Sequence, residues 1–386
     1  MHKPQYINGS ALESFAYFTV TQRFPFIIDL VIDSNSLSGK QKQKLEELKS
    51  EIKSKEMKLL PHCEIDSGFW NEMLSKHAKS WLDAPFMFVE FYFYRRLLEA
   101  VDYFENKNDP FKIIKINSLR NSLAEAFFIA NTISNLKNPL EILLKYDLWS
   151  NRADFSQMHR HDSLIGQNII IDDTENVLKL FQAKLGQVDI VLDNSGLELS
   201  VDLLVSYHLI NERLAERVFI HAKSQPIFVS DATREDVLYA VEFFAGSEDY
   251  LLQEAGKKLK GFIEKGMLVI EEDPFWVLPK AFEEINGSLR DHFAKSELII
   301  LKGDLNYRRL VEDRQWAFNT DISQLIGYLP TNILVIRALK SELMVGLSDE
   351  TVKRLFDEDP RWMINGKYGI IQLFKREEDY ALHRSE

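Results

Sequence analysis

The sequence predicts an α/β fold in which an N-terminal helical lobe packs on a three-layer α/β/α domain with a mostly parallel, Rossmann-like sheet. Two observations carry this prediction. Over the first 150 of the 386 residues, apolar side chains recur at helical spacing. From about residue 175, short β-rich runs alternate with longer helical patterns, an order typical of a parallel sheet covered on both faces. We therefore expect a mainly helical lobe over 1–150 and an α/β/α domain over 151–386, with an irregular connection over 155–172.

Four helices are expected in the lobe. The first is a charged, solvated helix over 38–58, and the second runs from Trp70 to Trp81. Pro85 suits the first turn of the third helix, which is aromatic on nearly every side as far as Arg96. This third helix should therefore be buried on more than one face. The fourth helix runs from about Ser118 to Asn135.

Seven β-rich runs are expected to supply the sheet. Each is short and gives way to a polar or helical pattern. The runs end near Leu192, Ile220, Val229, Ile270, Leu301, Ile336 and Phe374. Because ligands of α/β sheets bind at the carboxyl ends of the strands, the residues just after these runs are the candidates for chemistry.

Composition narrows the possible partners and the compartment. The formal net charge of −12 argues against nucleic acid or an anionic membrane as the main partner. Cys63 is the only cysteine, so no disulfide forms within the chain, which suits a reducing, cytoplasmic location. The most apolar N-terminal stretch, Phe24–Ile32, is short and contains Asp29, so we expect neither a signal peptide nor a membrane span. The oligomeric state stays open.

Carboxylate and amide side chains directly follow the run that ends at Leu192. Asp193 and Asn194 come first, and Glu198 lies one turn into the expected helix. Hard oxygen donors of this kind suit a divalent cation such as magnesium or manganese. An aspartate N-cap with an acid in the first turn has the same pattern, and this run alone does not separate the two interpretations.

Two later runs repeat this layout. Asp231 follows Ile227-Phe228-Val229-Ser230 and could add a second metal carboxylate, although Ser, Asp and Thr at this place also favour a simple helix start. The third motif is Lys302-Gly303-Asp304-Leu305-Asn306-Tyr307-Arg308. Its glycine turn, helix start and cationic side chains favour an anion site over a plain turn.

Lys340 completes the set of strand-end residues. It follows Ile333–Ile336 and could pair with a phosphate or carboxylate, although a surface lysine is the more common meaning of such a position. No Walker-type phosphate loop, dinucleotide glycine pattern or Gly-x-Ser-x-Gly elbow is present in the sequence. The histidines considered show no metal spacing; they are His62, His159, His161, His208 and His221.

Taken in order, these runs resemble the damage-control metal phosphatase family. The resemblance is to its sugar-phosphate phosphatase branch, which is also described as acidic-residue (protein-glutamate) O-methyltransferases. The matching runs are Asp193–Glu198, His221–Thr233 and Lys302–Arg308, with Pro85–Arg96, Leu148–Asn151 and Gly366–Gly369 in addition.

The resemblance implies one divalent metal, manganese, magnesium, cobalt or nickel, between the helical lobe and the α/β/α domain. Asp193, Asn194 and Asp231 would hold the metal and carry catalysis. The substrate pocket would be lined by Glu90, Asn151, Glu198, Asp304, Leu305, Asn306, Tyr307, Arg308 and Lys340. The branch usually has Arg-Thr-x-Lys where this chain has Arg337-Ala338-Leu339-Lys340, so one hydroxyl donor is missing.

The sequence thus favours metal-dependent hydrolysis of a small phosphorylated metabolite, by resemblance a sugar phosphate of the fructose-1-phosphate type. Two other classes of function stay open. Methyl transfer from S-adenosylmethionine could use Glu198 to hold the ribose hydroxyls, but no glycine-rich methyltransferase loop follows the first run. A non-catalytic binding module is the third class, and the acidic and basic residues at several strand ends argue against it.

Overall fold

A computed structural model describes residues 2–61, 64, 66–77, 79–151, 166–285 and 287–376. It confirms the predicted α/β class. Helices dominate the first 150 residues, and a seven-stranded, mostly parallel sheet forms the rest of the fold. Most of the expected connection over 155–172 lies outside the described residues.

Nine helices are described in the lobe, and a π-helical segment, Thr19–Arg23, joins the first two. They are α1 (Phe15–Phe18), α2 (Phe24–Ser34), α3 (Gly39–Ser54), α4 (Ser67–Lys76), α5 (Phe86–Ala100), α6 (Tyr103–Asn106), α7 (Lys112–Asn121), α8 (Leu123–Ser134) and α9 (Leu140–Trp149).

The aromatic helix α5 is the centre of the lobe, as predicted. Pro85 precedes it, and every residue of the helix except Arg96 and Glu99 is buried. The helix expected over 118–135 is wrong in one respect, because Ser122 divides it into α7 and α8. The Ser122 hydroxyl donates to the carbonyl of Leu119 at 3.0 Å, a local bond that competes with helix propagation.

The seven strands form one sheet in the order β1-β7-β6-β5-β2-β3-β4. All neighbours pair in parallel except β6 and β7, which are antiparallel. The strands are β1 (Ile169–Asp172), β2 (Leu185–Val191), β3 (Ala215–Ala222), β4 (Leu268–Glu272), β5 (Leu298–Lys302), β6 (Asn332–Ala338) and β7 (Gly369–Phe374).

Helices cover both faces of this sheet, which gives the predicted three layers. The helices described in this part of the chain are α10 (Thr174–Leu180), α11 (Leu197–Asn211), α12 (Arg234–Ala245), α13 (Tyr250–Glu264), α14 (Gly287–Phe293), α15 (Gly303–Leu310), α16 (Ser323–Ile326) and α17 (Asp349–Glu358). Alternate residues of β2 illustrate the layering: Ile190 packs in the core on one face and Val191 in the core on the other.

Two sequence expectations about strands are wrong. Ile169–Asp172, at the end of the expected connection, forms the edge strand β1, because this run of β-branched isoleucines pairs with β7 through Ile169, Ile171 and Asp172. The run that ends at Val229 is a turn instead of a strand, and Phe228 and Val229 have φ values of +52° and +68°. This turn reverses the chain and brings Asp231 back to β2.

The N-terminal helical stretch is longer than its apolar sequence suggested. Because α1, the π-helical segment and α2 are continuous, Phe15–Ser34 is a helix of 20 residues with a mean hydropathy of 1.3. By length and composition alone it could cross a membrane, which corrects the expectation that no segment approaches this limit. Core helices pass the same test, and Phe24, Ile28 and Val31 are fully or almost fully buried in the lobe core.

Candidate active site

The strand order changes direction between β2 and β5. From β2 it continues through β3 to β4 at one edge of the sheet, whereas β5 and β6 lie toward the opposite edge. Such a switch in strand order opens a crevice at the carboxyl ends of the two strands, where α/β proteins bind ligands. Asp193 follows β2 and Gly303 follows β5, so two of the predicted motifs meet at this crevice.

Asp193 lies directly against the backbone of Gly303. Gly303 has a φ of +80°, and a Cβ atom at this position would lie 2.0 Å from Asp193 Oδ2. Only glycine permits so close an approach together with this backbone conformation. The glycine predicted as part of an anion-binding turn therefore also makes room for the carboxylate that follows β2.

Asp231 reaches the same place through the turn that precedes it. The backbone N–H of Ala232 donates to the carbonyl of Asp193 at 2.9 Å, and an antiparallel bridge pairs Asn194 with Asp231. The Ser230 hydroxyl donates to Asn194 Oδ1 at 2.5 Å. The structure thus brings together the three residues that the sequence grouped as a metal site.

These carboxylates concentrate negative charge in a buried space. The pKa of Asp193 is well above its ordinary value. The main cause is burial, and the negative charges of Glu198 and Asp231 add to it. Burial also raises the pKa of Asp231 to about 6, although Lys223 lowers it. Lys223 Nζ lies 3.4 Å from Asp231 Oδ2 and donates to the carbonyl of Leu192 at 3.0 Å. A further cation would therefore stabilise the ionised carboxylates.

Buried oxygen atoms at the crevice are available to a divalent cation and to the hydroxyl groups of a ligand. Asp231 Oδ2, Asn306 Oδ1 and the Ser195 hydroxyl are buried and make no aligned hydrogen bond within the described part of the chain. A buried oxygen left unpaired costs about 1–3 kcal/mol. Asn194 Oδ1 accepts one hydrogen bond and keeps a second lone pair. Carboxylate and amide oxygens with unused lone pairs are the ligands that magnesium and manganese prefer.

Lys302 holds a second group of carboxylates behind the crevice. Its Nζ donates to Asp147 and lies 3.2 Å from Asp202 and 3.3 Å from Glu198, and all four side chains are buried. Glu198 also accepts from Asn194 Nδ2 at 3.0 Å, so this group contacts the metal set. Sequence reasoning missed Asp147 and Asp202. The available signal was that Asp202 lies one helical turn after Glu198.

Arg308 and Glu90 form an ion pair between the two parts of the chain. Arg308 NH1 donates to Glu90 Oε2 at 2.6 Å, while its Nε and NH2 donate to the two oxygens of Asp313, each at 2.8 Å. Burial raises the pKa of Glu90 to about 7, although Arg308 opposes the shift. The contacts of Arg308 with these two carboxylates join α5 of the lobe to α15 of the domain.

Asp304, Lys340 and Asn151 meet near the crevice. Asp304 Oδ1 accepts from Arg337 Nε at 2.8 Å and from the backbone N–H of Lys340 at 3.1 Å. Burial raises the pKa of Asp304, but the charges of Arg337 and Arg308, together with hydrogen bonds from Ser341 and the backbone of Lys340, hold the pKa below its ordinary value. Lys340 Nζ donates to the carbonyl of Asn151 at 3.2 Å, and its charge lowers the pKa of Asp193.

Leu305, Asn306 and Tyr307 of the third motif point in different directions from α15. Leu305 packs in the core of the lobe. The Tyr307 hydroxyl accepts from the backbone N–H of Val345 at 3.1 Å, inside the core on one face of the sheet. Asn306 Nδ2 donates to the carbonyl of Leu192 at 3.3 Å, which places this side chain beside the end of β2. The contacts therefore give Asn306 a place at the crevice, and give Leu305 and Tyr307 packing contacts.

A separate cluster of possible metal ligands lies deeper along β2. Asp189 Oδ1 lies 2.7 Å from His221 Nε2 and 2.5 Å from His292 Nε2, and the three ligand atoms are all within 4.8 Å of one another. Asp189 is four residues before Asp193, or about 13 Å along a strand. The sequence analysis found no metal spacing for His221, because its partners come from β2 and α14, far away in the sequence.

Comparison with known proteins places the chain in a family. Residues 19–355 match the model of the damage-control phosphatase ARMT1-like domain. The chain belongs to this family. The match confirms the resemblance stated from the strand-end motifs, and it shows that the protein is a phosphatase of a metal-dependent, damage-control family acting on small phosphorylated substrates.

Curated relatives agree over nearly the whole length. Damage-control phosphatase ARMT1 of Xenopus laevis is 31% identical, with 97% of this chain and 99% of the relative covered. The protein of the same name from Homo sapiens is 30% identical, with 96% and 98% covered. Because both carry a phosphatase name, methyl transfer is not favoured as the activity of this chain.

A solved structure supports the fold alone. The crystal structure of a DUF89 family protein from Pyrococcus horikoshii superposes with a TM-score of 0.54 at 15% sequence identity. The match covers 98% of this chain and all of the other. The α/β architecture is therefore shared across the match, even where the side chains differ.

Proposed function

We propose that this phosphatase hydrolyses sugar phosphates of the fructose-1-phosphate type, with one divalent cation held at the crevice between β2 and β5. The observation that supports this proposal is the meeting of Asp193, Asn194 and Asp231 beside Lys340 and Asn306. Oxygen donors for a cation, an ammonium for a phosphate and a free oxygen acceptor for a substrate hydroxyl then lie around one space. The cation would be manganese, magnesium, cobalt or nickel.

Each side chain has a role that follows from its contacts. Asp193, Asn194 and Asp231 would hold the cation, which would neutralise the phosphate and polarise it for attack. Lys340 would pair with a phosphate oxygen. Asn306 Oδ1 is a buried acceptor that has no hydrogen bond from the described residues, so it would accept from a hydroxyl of the sugar.

The reaction breaks the ester P–O bond and forms a new P–O bond to the oxygen of water, and the alcohol leaves with a proton. Phosphoryl transfer depends mainly on positioning and charge neutralisation. Glu198 fixes the amide of Asn194 through a 3.0 Å hydrogen bond. Arg308, held by Glu90 and Asp313, fixes the helix on which Asn306 lies. These residues act by positioning the others.

Phosphate release after chelation tests this proposal. Purified protein is assayed against several sugar phosphates and p-nitrophenyl phosphate, with each divalent metal added back separately. We expect turnover only with metal and a higher kcat/KM for the sugar phosphates. No turnover with any metal or substrate would overturn the proposal.

Asn306→Leu tests the part of the proposal that concerns the sugar. Because p-nitrophenyl phosphate has no hydroxyl to donate, the variant should lose about tenfold or more in the ratio of the two kcat/KM values, the cost of one unpaired buried hydrogen bond. The ratio is independent of the fraction of folded enzyme. An unchanged ratio would exclude Asn306 from substrate recognition and leave the phosphatase activity in place.

A further inference from the structure

The cluster of Asp189, His221 and His292 lies apart from the catalytic crevice. Asp189 is in the middle of β2, His221 is near the end of β3, and His292 is on α14. Asp189 and His221 are fully or almost fully buried, whereas 22% of the His292 side chain is exposed. The rings of Trp276 and Phe293 pack against His221. The cluster therefore has one side open to solvent and is otherwise enclosed.

No placement of hydrogen atoms pairs a donor with an acceptor at every close contact in this cluster. Asp189 Oδ1 lies within hydrogen-bond distance of both His221 Nε2 and His292 Nε2, the arrangement of a carboxylate oxygen that accepts from two imidazole N–H groups. Each imidazole nitrogen that faces Asp189 Oδ1 must then carry a hydrogen. Gln187 Nε2, however, lies 3.1 Å from His292 Nε2 and 2.9 Å from Asp189 Oδ2.

The amide of Gln187 cannot resolve this conflict by turning over. As it stands, an N–H of Gln187 meets the N–H of His292, two donors in contact. If the amide turned, its oxygen would lie about as close to Asp189 Oδ2, two acceptors in contact. A cation between Asp189 and the two imidazoles removes the conflict, because both Nε2 atoms then present lone pairs and Gln187 donates to Asp189 Oδ2 as an outer hydrogen bond.

We propose that Asp189, His221 and His292 form a second metal site, which takes a first-row transition-metal cation such as Zn²⁺ and joins α14 to the sheet. Two imidazoles and one carboxylate suit zinc, whereas the oxygen ligands of Asp193, Asn194 and Asp231 suit magnesium or manganese. The two sites therefore differ in the cation that each prefers.

Loading of the site requires a small movement. Ligand atoms of a tetrahedral zinc ion are about 3.3 Å apart, given zinc–ligand distances of about 2.0–2.1 Å. The present separations from Asp189 Oδ1 are 2.5 Å and 2.7 Å. The opening needed from Asp189 Oδ1 is therefore about 0.8 Å for His292 Nε2, which is on a short helix and nearest to solvent, and about 0.6 Å for His221 Nε2. His221 Nδ1 is buried and has no partner among the described residues with or without metal.

Zinc and cobalt binding to the full chain test the proposal independently of phosphatase activity. Asp231→Asn supplies a background with a weakened catalytic site, in which equilibrium dialysis should still find about one Zn²⁺ per chain. Adding His292→Gln should remove this ion, whereas His208→Gln, a matched histidine on α11 outside the cluster, should retain it. With Co²⁺, the background variant should show the strong visible absorption of a tetrahedral ion.

Three outcomes would overturn the proposal. They are no zinc bound in the Asp231→Asn background, zinc that survives His292→Gln, and zinc that is lost equally with His208→Gln. If His292→Gln fails to fold, the cobalt spectrum still tests the site, because it is recorded on a protein in which Asp189, His221 and His292 are unchanged. Absence of the tetrahedral absorption in a folded protein would exclude the site.

Discussion

Asp193 can approach the backbone of the third motif only because residue 303 is glycine. Gly303→Ala would place a methyl group on the carboxylate and force an alanine into a backbone conformation with a φ of +80°. We expect this variant to lose at least tenfold in kcat/KM and to bind the catalytic metal more weakly. Calorimetric titration of manganese and phosphate release measure the two effects.

Gly261→Ala is the matched control for this variant. Nothing lies within 4 Å of a Cβ atom at Gly261, which is inside α13. Alanine is a better helix former than glycine by about 1 kcal/mol, so activity should be unchanged and stability equal or higher. If Gly303→Ala behaved like Gly261→Ala, the close approach of Asp193 would not matter for the site.

Glu90 should make the free energy of unfolding depend on pH. Burial raises its pKa from 4.5 to about 7 in the folded state, so the folded protein holds a proton that the unfolded chain releases. The contribution is fully present below pH 4.5 and is lost as pH rises to about 7, a decrease of up to about 3 kcal/mol. Urea unfolding of the metal-free protein at pH 5 and pH 7.5 measures this decrease.

Glu90→Gln should reduce this pH dependence, because the amide does not titrate while Asp313 still holds Arg308. Glu46→Gln, at an exposed position of α3, serves as the control and should leave the dependence unchanged. Equal pH dependence in wild type and Glu90→Gln would show that the carboxyl does not carry a raised pKa in the folded protein.

At the scale of elements, Lys302 connects β5 to α9 and α11 through three buried carboxylates. Lys302→Met would leave these acids without their cation, and we expect a loss of about 3–5 kcal/mol in the free energy of unfolding. Asp202→Asn should change stability by less than about 1 kcal/mol, because burial already raises the pKa of Asp202 well above its ordinary value. Urea unfolding compares the two.

A surface lysine gives the reference for this comparison. Lys184 pairs with Glu216 at 2.7 Å, and both side chains are more than half exposed. Lys184→Met should cost less than about 1 kcal/mol. A Lys302→Met variant as stable as Lys184→Met would mean that the buried acids are all protonated and need no cation.

The expectation that functional residues directly follow strands was right for some parts of the chain and wrong for others. Asp193 was expected just after a strand and lies there, because β2 is a continuous apolar run that ends in a polar motif. Asp231 was placed at the site for the wrong reason, since Phe228 and Val229 adopt left-handed backbone conformations in a turn, which their β-prone side chains do not indicate. The edge strand β1 is only four residues long, too short for periodicity to detect.

At the scale of the whole molecule, the sequence predicted the layers but not the contacts made across long sequence separations. The alternation of β-rich and helical runs was enough for the α/β/α arrangement. The pairing of His292 with Asp189 joins residues 103 positions apart, and that of Lys302 with Asp147 joins residues 155 apart. Local spacing carries no information on such pairs, so both buried clusters appear only once the sheet order is known.

We expect the catalytic cation to bind at Asp193, Asn194 and Asp231, and not at the cluster of Asp189, His221 and His292. Manganese binding, followed by electron paramagnetic resonance, and phosphate release are measured together on wild type, Asp231→Asn and His292→Gln. We expect Asp231→Asn to lose both manganese affinity and turnover by about 100-fold or more, because even residues that only orient a metal ligand contribute about 10–100-fold. His292→Gln should retain both. The reverse pattern would contradict the account and place the catalytic metal at the histidine cluster.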